Sequence, residues 1–248
     1  MRPRLWFVFC IFVCKVCGQA EPPARPLVPV DRSVSPIPGS TISKEELRIP
    51  HKAIEELQRS QRDYNSGNVR SSVRHLENAL RLYPNYLEAR NNLGAQYIEL
   101  QEYEKAIAEF QRAIQINDTV VQPFNNLSVA FFKLQRYADA EVNARHALGL
   151  DPANLISRYL LGCTLAMENR NAPEALEILQ TTKRVFPESG LMIAKILIRL
   201  GAAEDATAEL RDYLAAPGIE KRAMAERWLA QLTQETGATK SAAHSHDP

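Results

Sequence analysis

Two pairs of neighbouring asparagines have the clearest potential for binding another molecule. Asn91-Asn92 and Asn125-Asn126 lie in closely similar surroundings, so that Asn92 and Asn126 occupy equivalent places in two similar stretches. Each side-chain amide offers N–H donors and an acceptor, which are the groups that an extended polypeptide backbone requires. In a periodic structure the two pairs would therefore repeat one contact along a bound peptide. The alternative is that they solvate or cap a surface and bind nothing.

Catalytic chemistry has little support in the sequence. It contains no glycine-rich phosphate loop, no nucleophile elbow and no His/Cys cluster with metal-ligand spacing. His51, His75 and His146 fall on predicted helices, where we expect surface residues rather than general bases. We therefore predict a protein that is not an enzyme and needs no cofactor, metal or small-molecule substrate.

Two further candidates for chemistry are weak. Cys163 lies in an apolar helical stretch that is typical of a buried, inert thiol, although a redox role is the alternative. His244, His246 and Asp247 near the end of the chain could catch a metal ion adventitiously, but we predict no metal site there.

Net charge argues against a nucleic-acid partner. The chain has 30 Lys and Arg against 29 Asp and Glu, a formal net charge of +1. The broad positive field expected of a nucleic-acid-binding protein is absent. A protein or peptide is the expected partner.

Residues 1–20 have the features of a cleavable secretory signal peptide. Arg2 and Arg4 precede the apolar run 5–13, and small residues at 18–20 suit cleavage before Glu21. The sequence therefore predicts a secreted or periplasmic protein. In the alternatives the segment stays as an uncleaved membrane anchor, or a lipid is attached at Cys10, Cys14 or Cys17. Contact with a membrane is expected only if the segment is retained.

Cleavage would also decide the disulfide chemistry. Three of the four cysteines lie in residues 1–20, so the mature chain would keep Cys163 alone and could form no intrachain disulfide.

The next segment, residues 21–42, is rich in proline. Repeated proline fixes the backbone torsion and removes hydrogen-bond donors, which predicts an extended spacer. A proline-rich ligand for another domain is the alternative. Ser43 to Glu46 has the pattern of a capping box, so we expect folded structure to span residues 43–236.

A fixed sequence period runs through this folded region. Leu93, Leu127 and Leu161 are evenly spaced, and the same interval separates Ala106 from Ala140. Within each unit, apolar and small residues recur at helical spacing in two runs joined by a short turn, which predicts a helical hairpin. Small residues such as Gly94 and Ala106 would let the two helices approach closely. Prolines at 84, 152 and 187 are predicted to end the second helices.

This pattern resembles the tetratricopeptide repeat family. The family's leucine-glycine pair, aromatic residues, alanines and terminal proline have counterparts here. The matching residues are Leu93, Gly94, Tyr97, Ala106, Phe110 and Ala113, then Leu127, Ser128, Phe131, Ala140, Ala147 and Pro152, then Leu161, Gly162, Leu165, Ala175 and Pro187. An earlier unit has Ser72 at the small-residue position, and a fifth unit is degraded.

The resemblance implies an all-α, right-handed superhelix of about five hairpins. An amphipathic helix over residues 218–236 would cap the last hairpin, and residues 237–248 would form a disordered tail. In this family the first helices line a concave groove that holds peptides or helices of other proteins. The groove residues expected here are Asn91, Asn92, Gln122, Asn125, Asn126, Phe132, Lys133 and Tyr159.

These observations predict a non-catalytic scaffold in the cell envelope or outside the cell, which binds a partner protein through its groove. No basic pair for a terminal carboxylate is present, so a chaperone C-terminus is not expected as the ligand. The alternative is an accessory subunit of an envelope enzyme or assembly machine that contacts its partner by the cap helix.

Overall fold

A computed structural model describes residues 49–216, 219 and 221–244, with side chains as far as residue 234. The predicted signal peptide (1–20), proline-rich spacer (21–42) and capping box at Ser43 to Glu46 lie outside the described residues, as does the end of the chain after residue 244.

The described residues form eleven helices and no strand, which confirms the predicted all-α fold class. Ten helices form five hairpins and one further helix follows. The hairpins are α1 (His51–Asn65) with α2 (Val69–Leu82), α3 (Leu87–Glu99) with α4 (Tyr103–Ile116), α5 (Val121–Lys133) with α6 (Tyr137–Leu150), α7 (Leu155–Glu168) with α8 (Ala172–Thr182), and α9 (Glu188–Arg199) with α10 (Ala203–Ala215); the last helix is α11 (Arg222–His244).

The turn within each of the first four hairpins follows the sequence period. Gly67, Gln101, Gln135 and Asn169 all have positive φ angles, and each lies one period after the previous one. The fourth hairpin has a second left-handed residue, Asn171, at the place where the sequence contains an inserted residue. The extra residue therefore lies in the turn between α7 and α8 and not within either helix.

The chain divides into two compact units. The first contains α1–α6, and the second begins at Asn154 and contains α7–α11. In the first unit the two helices of each hairpin pack together, and α2 contacts α3 as α4 contacts α5. In the second unit the chain of contacts runs from α7 to α8, α9, α10 and α11.

Close approach of paired helices depends on small residues, as predicted. Ala106 and Ala140 are completely buried. A Cβ atom built on Gly94 would lie 2.5 Å from Cε1 of Phe110, so the aromatic ring on α4 packs directly against the backbone of α3. Only glycine leaves room for that ring.

In the first hairpin a pair of serines replaces this arrangement. Ser60, at the position equivalent to Gly94, and Ser72, at the position equivalent to Ala106, are both buried. Their hydroxyl oxygens are 2.7 Å apart, and the Ser72 hydroxyl also lies 2.7 Å from the Ser60 carbonyl oxygen. Hydrogen bonding between the helices thus compensates for the departure from the repeat pattern.

Some helix boundaries differ from the predictions. Pro84 and Pro152 closely follow the helix ends of α2 and α6, but α8 ends at Thr182 and Pro187 instead precedes α9. Proline is well suited to that position because it has no N–H to donate and its φ is already helical. The last helix begins at Arg222 and continues to His244, past the predicted end at residue 236.

The last helix covers the end of the second unit. Ala225 and Leu232 are buried in one cluster with Leu191, Leu210 and Tyr213 of α9 and α10. Met224, Trp228 and Leu229 pack against the same cluster. The apolar side of α11 is therefore used within the chain, as a cap requires.

Candidate functional site

The asparagines singled out in the sequence lie on two neighbouring first helices of the first unit. Helix α3 carries Asn91 and Asn92, α5 carries Gln122 and Asn126, and the two helices are in contact. Gln122 is exposed, Asn91 and Asn92 are partly exposed, and Asn126 keeps 8% of its surface accessible. We call these four residues the amide ridge.

A hydrogen bond joins the two helices along this ridge. Nδ2 of Asn126 donates to Oδ1 of Asn91 at 2.9 Å. The sequence period suggests that Asn92 and Asn126 make separate, equivalent contacts, whereas the structure pairs Asn126 with Asn91. Neighbouring hairpins are offset from one another, and this offset brings residues 35 positions apart into contact.

The asparagine pair leaves two complementary groups open. Nδ2 of Asn91 and Oδ1 of Asn126 have no partner among the described residues, and neither is a sealed, buried atom. A donor and an acceptor side by side match the C=O and N–H groups of an extended peptide backbone. The ridge can therefore hold a peptide unit without bringing a charge to the site.

Besides Asn126, three predicted groove residues are buried instead of exposed. Phe132 packs edge-on against Tyr137, with ring centroids 5.3 Å apart, and Asn125 is 2% exposed. In the second unit Tyr159 has no exposed surface and stacks on Phe186 at 4.7 Å. The expectation that these side chains line an open groove is corrected: burial of large apolar surface is favourable, so the aromatic rings pack within the protein.

Two predicted polar groove residues remain accessible at the ends of α5. Gln122 is exposed at its start, and Lys133 is partly exposed in its last turn. Between them every residue from Pro123 to Phe132 is buried. The accessible surface of α5 is therefore narrow, which explains why helical spacing alone predicted more exposed groove residues than the structure has.

His75 takes part in a network of charged groups between α1 and α2. Its Nδ1 lies 2.6 Å from Oε2 of Glu56, and its Nε2 lies 3.5 Å from Oδ2 of Asp63. The hydrogen bond with His75 is the main reason that the pKa of Glu56 lies below its ordinary value, and Asn78 and Arg59 act in the same direction while burial opposes them. The network links the two helices of the first hairpin.

A second network occupies the equivalent place in the next hairpin. Nη1 of Arg90 donates to Oε2 of Glu109 at 2.7 Å, and Arg112 contacts the same carboxylate. Both networks link a first helix to its second helix across 19 residues. Sequence analysis missed them, although polar residues at equivalent positions of successive repeats were a usable signal.

The other chemical candidates are structural or exposed. His51 is exposed, and its Nδ1 lies 3.1 Å from Oε1 of Glu55. The ring of His146 packs on the ring of Phe124, with centroids 4.1 Å apart. Cys163 is completely buried, as expected of an inert thiol. Within the part of the chain that the structure describes, no group of three or more His, Cys, Asp or Glu residues could hold a metal ion.

One buried polar cluster was also missed. Nε2 of Gln96 on α3 donates to the Ser72 hydroxyl at 2.7 Å, so the serine pair of the first hairpin is linked to the second hairpin. The signal was available, since Ser60 and Ser72 occupy the two positions that the repeat normally reserves for smaller, apolar residues.

The geometry defines a class of protein: an all-α chain of repeated helical hairpins with accessible amide groups on the first helices. Comparison with known proteins gives this class a name. A family model described as tetratricopeptide repeat matches residues 57–119. Residues 57–119 are therefore similar to the tetratricopeptide repeat family, and the hairpins on either side of this range have the same helical-hairpin fold.

Solved structures of the same fold are similar to this chain at low sequence identity. MamA 41-end from Desulfovibrio magneticus RS-1 is 18% identical with a TM-score of 0.61, and the match covers 67% of this chain and 95% of that one. TTC0263, a thermophilic TPR protein in Thermus thermophilus, is 18% identical with a TM-score of 0.59, and the match covers 72% of this chain and 99% of that one.

A third similar structure bears on binding. YrrB, described as a TPR protein with an unusual peptide-binding site, is 18% identical with a TM-score of 0.57, and the match covers 71% of this chain and 91% of that one. No curated protein sequence matches the chain. Among the described residues no helix is both long and apolar enough to cross a membrane.

Proposed function

We propose that this protein is a non-catalytic scaffold whose amide ridge binds an extended peptide segment of a partner protein. The single observation that carries the proposal is the Asn91–Asn126 pair, which leaves one donor and one acceptor open on adjacent helices. Similar proteins of this fold include one described as having a peptide-binding site.

The neutral chemistry of the ridge favours the backbone of the ligand over its side chains. Amide groups pair equally well with any peptide unit, because they recognise C=O and N–H groups that all residues share. Selectivity among partners would then come from residues at the ends of the ridge, including Lys133.

The alternative, contact through α11, has less support from the structure. The apolar residues of α11 pack against the cluster formed by α9 and α10, and they are not presented to a partner. A binding role for α11 would have to use its polar side.

One substitution separates binding from folding on the amide ridge. In Asn91→Asp the Oδ1 acceptor for Asn126 is retained, while the outward donor becomes a second acceptor. We expect the helices to stay linked and the affinity for a peptide backbone to fall about tenfold, corresponding to the loss of about one hydrogen bond plus repulsion between acceptors.

The experiment begins with a photo-crosslinking residue at position 92 in the producing cell. A matched probe at Asn143 on α6, whose side chain bonds its own helix at Asp139, is the control. Adducts specific to position 92 identify the partner, and its affinity is then measured by calorimetry for wild type, Asn91→Asp and Asn143→Ala. Equal affinities for all three proteins would refute binding on the amide ridge.

We further propose that the protein acts in the cell envelope or outside the cell, after removal of residues 1–20. The basic start, apolar run and small residues before Glu21 support this location. Mass spectrometry of the natural protein's N-terminus tests it. A mature chain that begins at Glu21 is expected, and an intact N-terminus would contradict cleavage.

A further inference from the structure

One loop between hairpins departs from the repeat pattern at its proline. Helices α2, α4 and α6 each end on an extended residue, which Pro84 and Pro152 follow after α2 and α6. Asp118 takes the equivalent place after α4, so that this loop reads Asn117-Asp118-Thr119. Asn-x-Thr is the acceptor motif for N-linked glycans, provided that x is not proline. Among these three loops, the one that lacks the proline is therefore the one that carries the motif.

The motif lies on the surface of the first unit. Asn117, Asp118 and Thr119 are all exposed, in the loop between α4 and α5. The backbone N–H of Thr119 donates to Oδ1 of Asn117 at 2.9 Å, and the Thr119 hydroxyl donates to the same oxygen at 2.7 Å. Both bonds use the amide oxygen, so Nδ2, the atom that carries a glycan, has no partner among the described residues. The acceptor atom is therefore open to a transferase.

The turn itself does not require these residue types. One period later, Oδ1 of Asp151 accepts a hydrogen bond from the N–H of Ala153 at 3.1 Å, which is the same turn made by an aspartate and an alanine. A structural role thus explains the turn but leaves the combination of an amide with a hydroxyl unexplained. Glycan attachment requires both groups.

A second copy of the motif provides an internal contrast. Asn126-Leu127-Ser128 has the spacing Asn-x-Ser, but it lies within α5. Nδ2 of Asn126 donates to Asn91, and Ser128 is completely buried. A glycan is bulky and polar, so its attachment at Asn126 would break the bond to α3 and force the two helices apart. The folded protein can therefore carry a glycan at Asn117 and not at Asn126.

We propose that Asn117 is an N-glycosylation site of the exported chain. The inference rests on the proposed export and is independent of the amide ridge. In the reaction, Nδ2 of Asn117 forms a bond to the anomeric carbon of an oligosaccharide carried on a lipid diphosphate. The bond from that carbon to the diphosphate oxygen breaks, the lipid diphosphate leaves with the electron pair, and one amide proton passes to a base of the transferase. The glycan adds polar bulk to the loop between α4 and α5.

Peptide mass spectrometry of the full-length protein from the producing cell tests the site. N-linked glycans are removed enzymatically in heavy-oxygen water, so that each glycosylated asparagine becomes a labelled aspartate. Asn117 and Asn126 lie in one tryptic peptide, residues 113–133, and fragmentation of this peptide distinguishes them. We expect label at Asn117 and none at Asn126.

Three substitutions separate glycosylation from the geometry of the loop. Asn117→Asp keeps the oxygen that accepts both hydrogen bonds, and it should abolish the glycan completely. Asp118→Pro restores the proline of the repeat and should also abolish the glycan, because proline is excluded from the motif. Thr119→Ser is the matched control, since it keeps the hydroxyl and should keep the glycan.

Failure of the site and failure of export give different results. A chain that begins at Glu21 and has no label at Asn117 overturns the site. An intact N-terminus contradicts export, and the site is then decided in a eukaryotic secretory cell, with residues 1–20 exchanged for the leader of a secreted protein. Label at Asn117 supports the site there, and its absence overturns it. Label at Asn126 in place of Asn117 would overturn it in either cell, because exposure would then not select the acceptor.

Discussion

Two identical substitutions at equivalent depth should change stability in opposite directions. Ser72 and Ser128 are both completely buried, and each lies at a small-residue position between paired helices. The Ser72 hydroxyl contacts the Ser60 hydroxyl, the Ser60 carbonyl and Gln96 Nε2, each at 2.7 Å. The Ser128 hydroxyl has no partner among the described residues.

The magnitudes follow from these partners. Ser72→Ala leaves the Gln96 amide without a partner, since its Oε1 is already buried and unpaired, and it also strands the Ser60 hydroxyl. Leaving buried polar groups unpaired costs about 1–3 kcal/mol each, so we expect a loss of about 2–4 kcal/mol. Ser128→Ala removes an unsatisfied buried group and should stabilise the protein by about 1–2 kcal/mol.

Urea unfolding followed by circular dichroism measures both free energies of unfolding, provided that the denaturant slopes agree. Both serines lie in the first compact unit, so amide hydrogen exchange of peptides from α1–α2 and from α5–α6 is needed to assign each effect to its hairpin. Helix propensity favours alanine over serine at both sites and so does not create a difference in sign.

A multiple variant checks the reasoning further. In Ser60→Ala/Ser72→Ala/Gln96→Leu all members of the cluster become apolar, and most of the lost stability should return because no polar group is left buried without a partner. Equal losses for Ser72→Ala and Ser128→Ala, or a destabilised Ser128→Ala, would refute the hydrogen-bond argument and point to packing volume instead.

Three further predictions concern single positions. The hydrogen bond with His75 lowers the pKa of Glu56, so the ionised carboxylate stabilises the fold above its unfolded pKa of about 4.5, and this stabilisation is lost as pH falls through the lower folded pKa. The difference in unfolding free energy between wild type and Glu56→Gln should therefore shrink in that acid range. A difference that stays constant with pH would contradict this reasoning. Gly94→Ala should lower the free energy of unfolding by about 1–3 kcal/mol in denaturant unfolding, because the new methyl group overlaps the Phe110 ring. The double variant Gly94→Ala/Phe110→Leu should recover this stability, and absence of recovery would exclude the overlap as the cause. Gln135→Gly should raise the unfolding free energy by about 1 kcal/mol, because a φ of 59° is strained for residues with a Cβ. A lower thermal midpoint would show instead that the Gln135 side chain contributes more stability than the strain costs.

Periodicity predicted most of the fold. Helical spacing in two runs per repeat predicted the hairpins, and the small residues predicted where their helices approach, since a stacked array must bury the same face in every unit. The burial of Ala106 and Ala140 confirms this reasoning. The extra residue near Asn171 lies in a turn, where an insertion in a repeat is most easily accommodated.

The candidate site was harder to predict because it depends on contacts between hairpins. Helical spacing shows which residues share one face of a helix, but the neighbouring hairpin determines how much of that face is covered. Phe132 was expected in a groove and is buried. The Asn91–Asn126 bond joins positions one residue out of period, and the offset between adjacent hairpins cannot be obtained from one repeat alone.

Structural and binding roles for this amide pair are compatible, and the number of its hydrogen-bonding groups shows why. One N–H of Asn126 and the oxygen of Asn91 are used between helices, and the remaining donor and acceptor stay in contact with water. Since these outward groups are solvated, they impose no folding penalty, and a peptide that replaces the water exchanges similar hydrogen bonds at small net gain for each. Affinity must then accumulate over several such groups along the ridge. A ligand long enough to reach both Asn92 and Gln122 should therefore bind much more tightly than a single dipeptide unit, and equal affinities for short and long peptides would contradict recognition through the backbone.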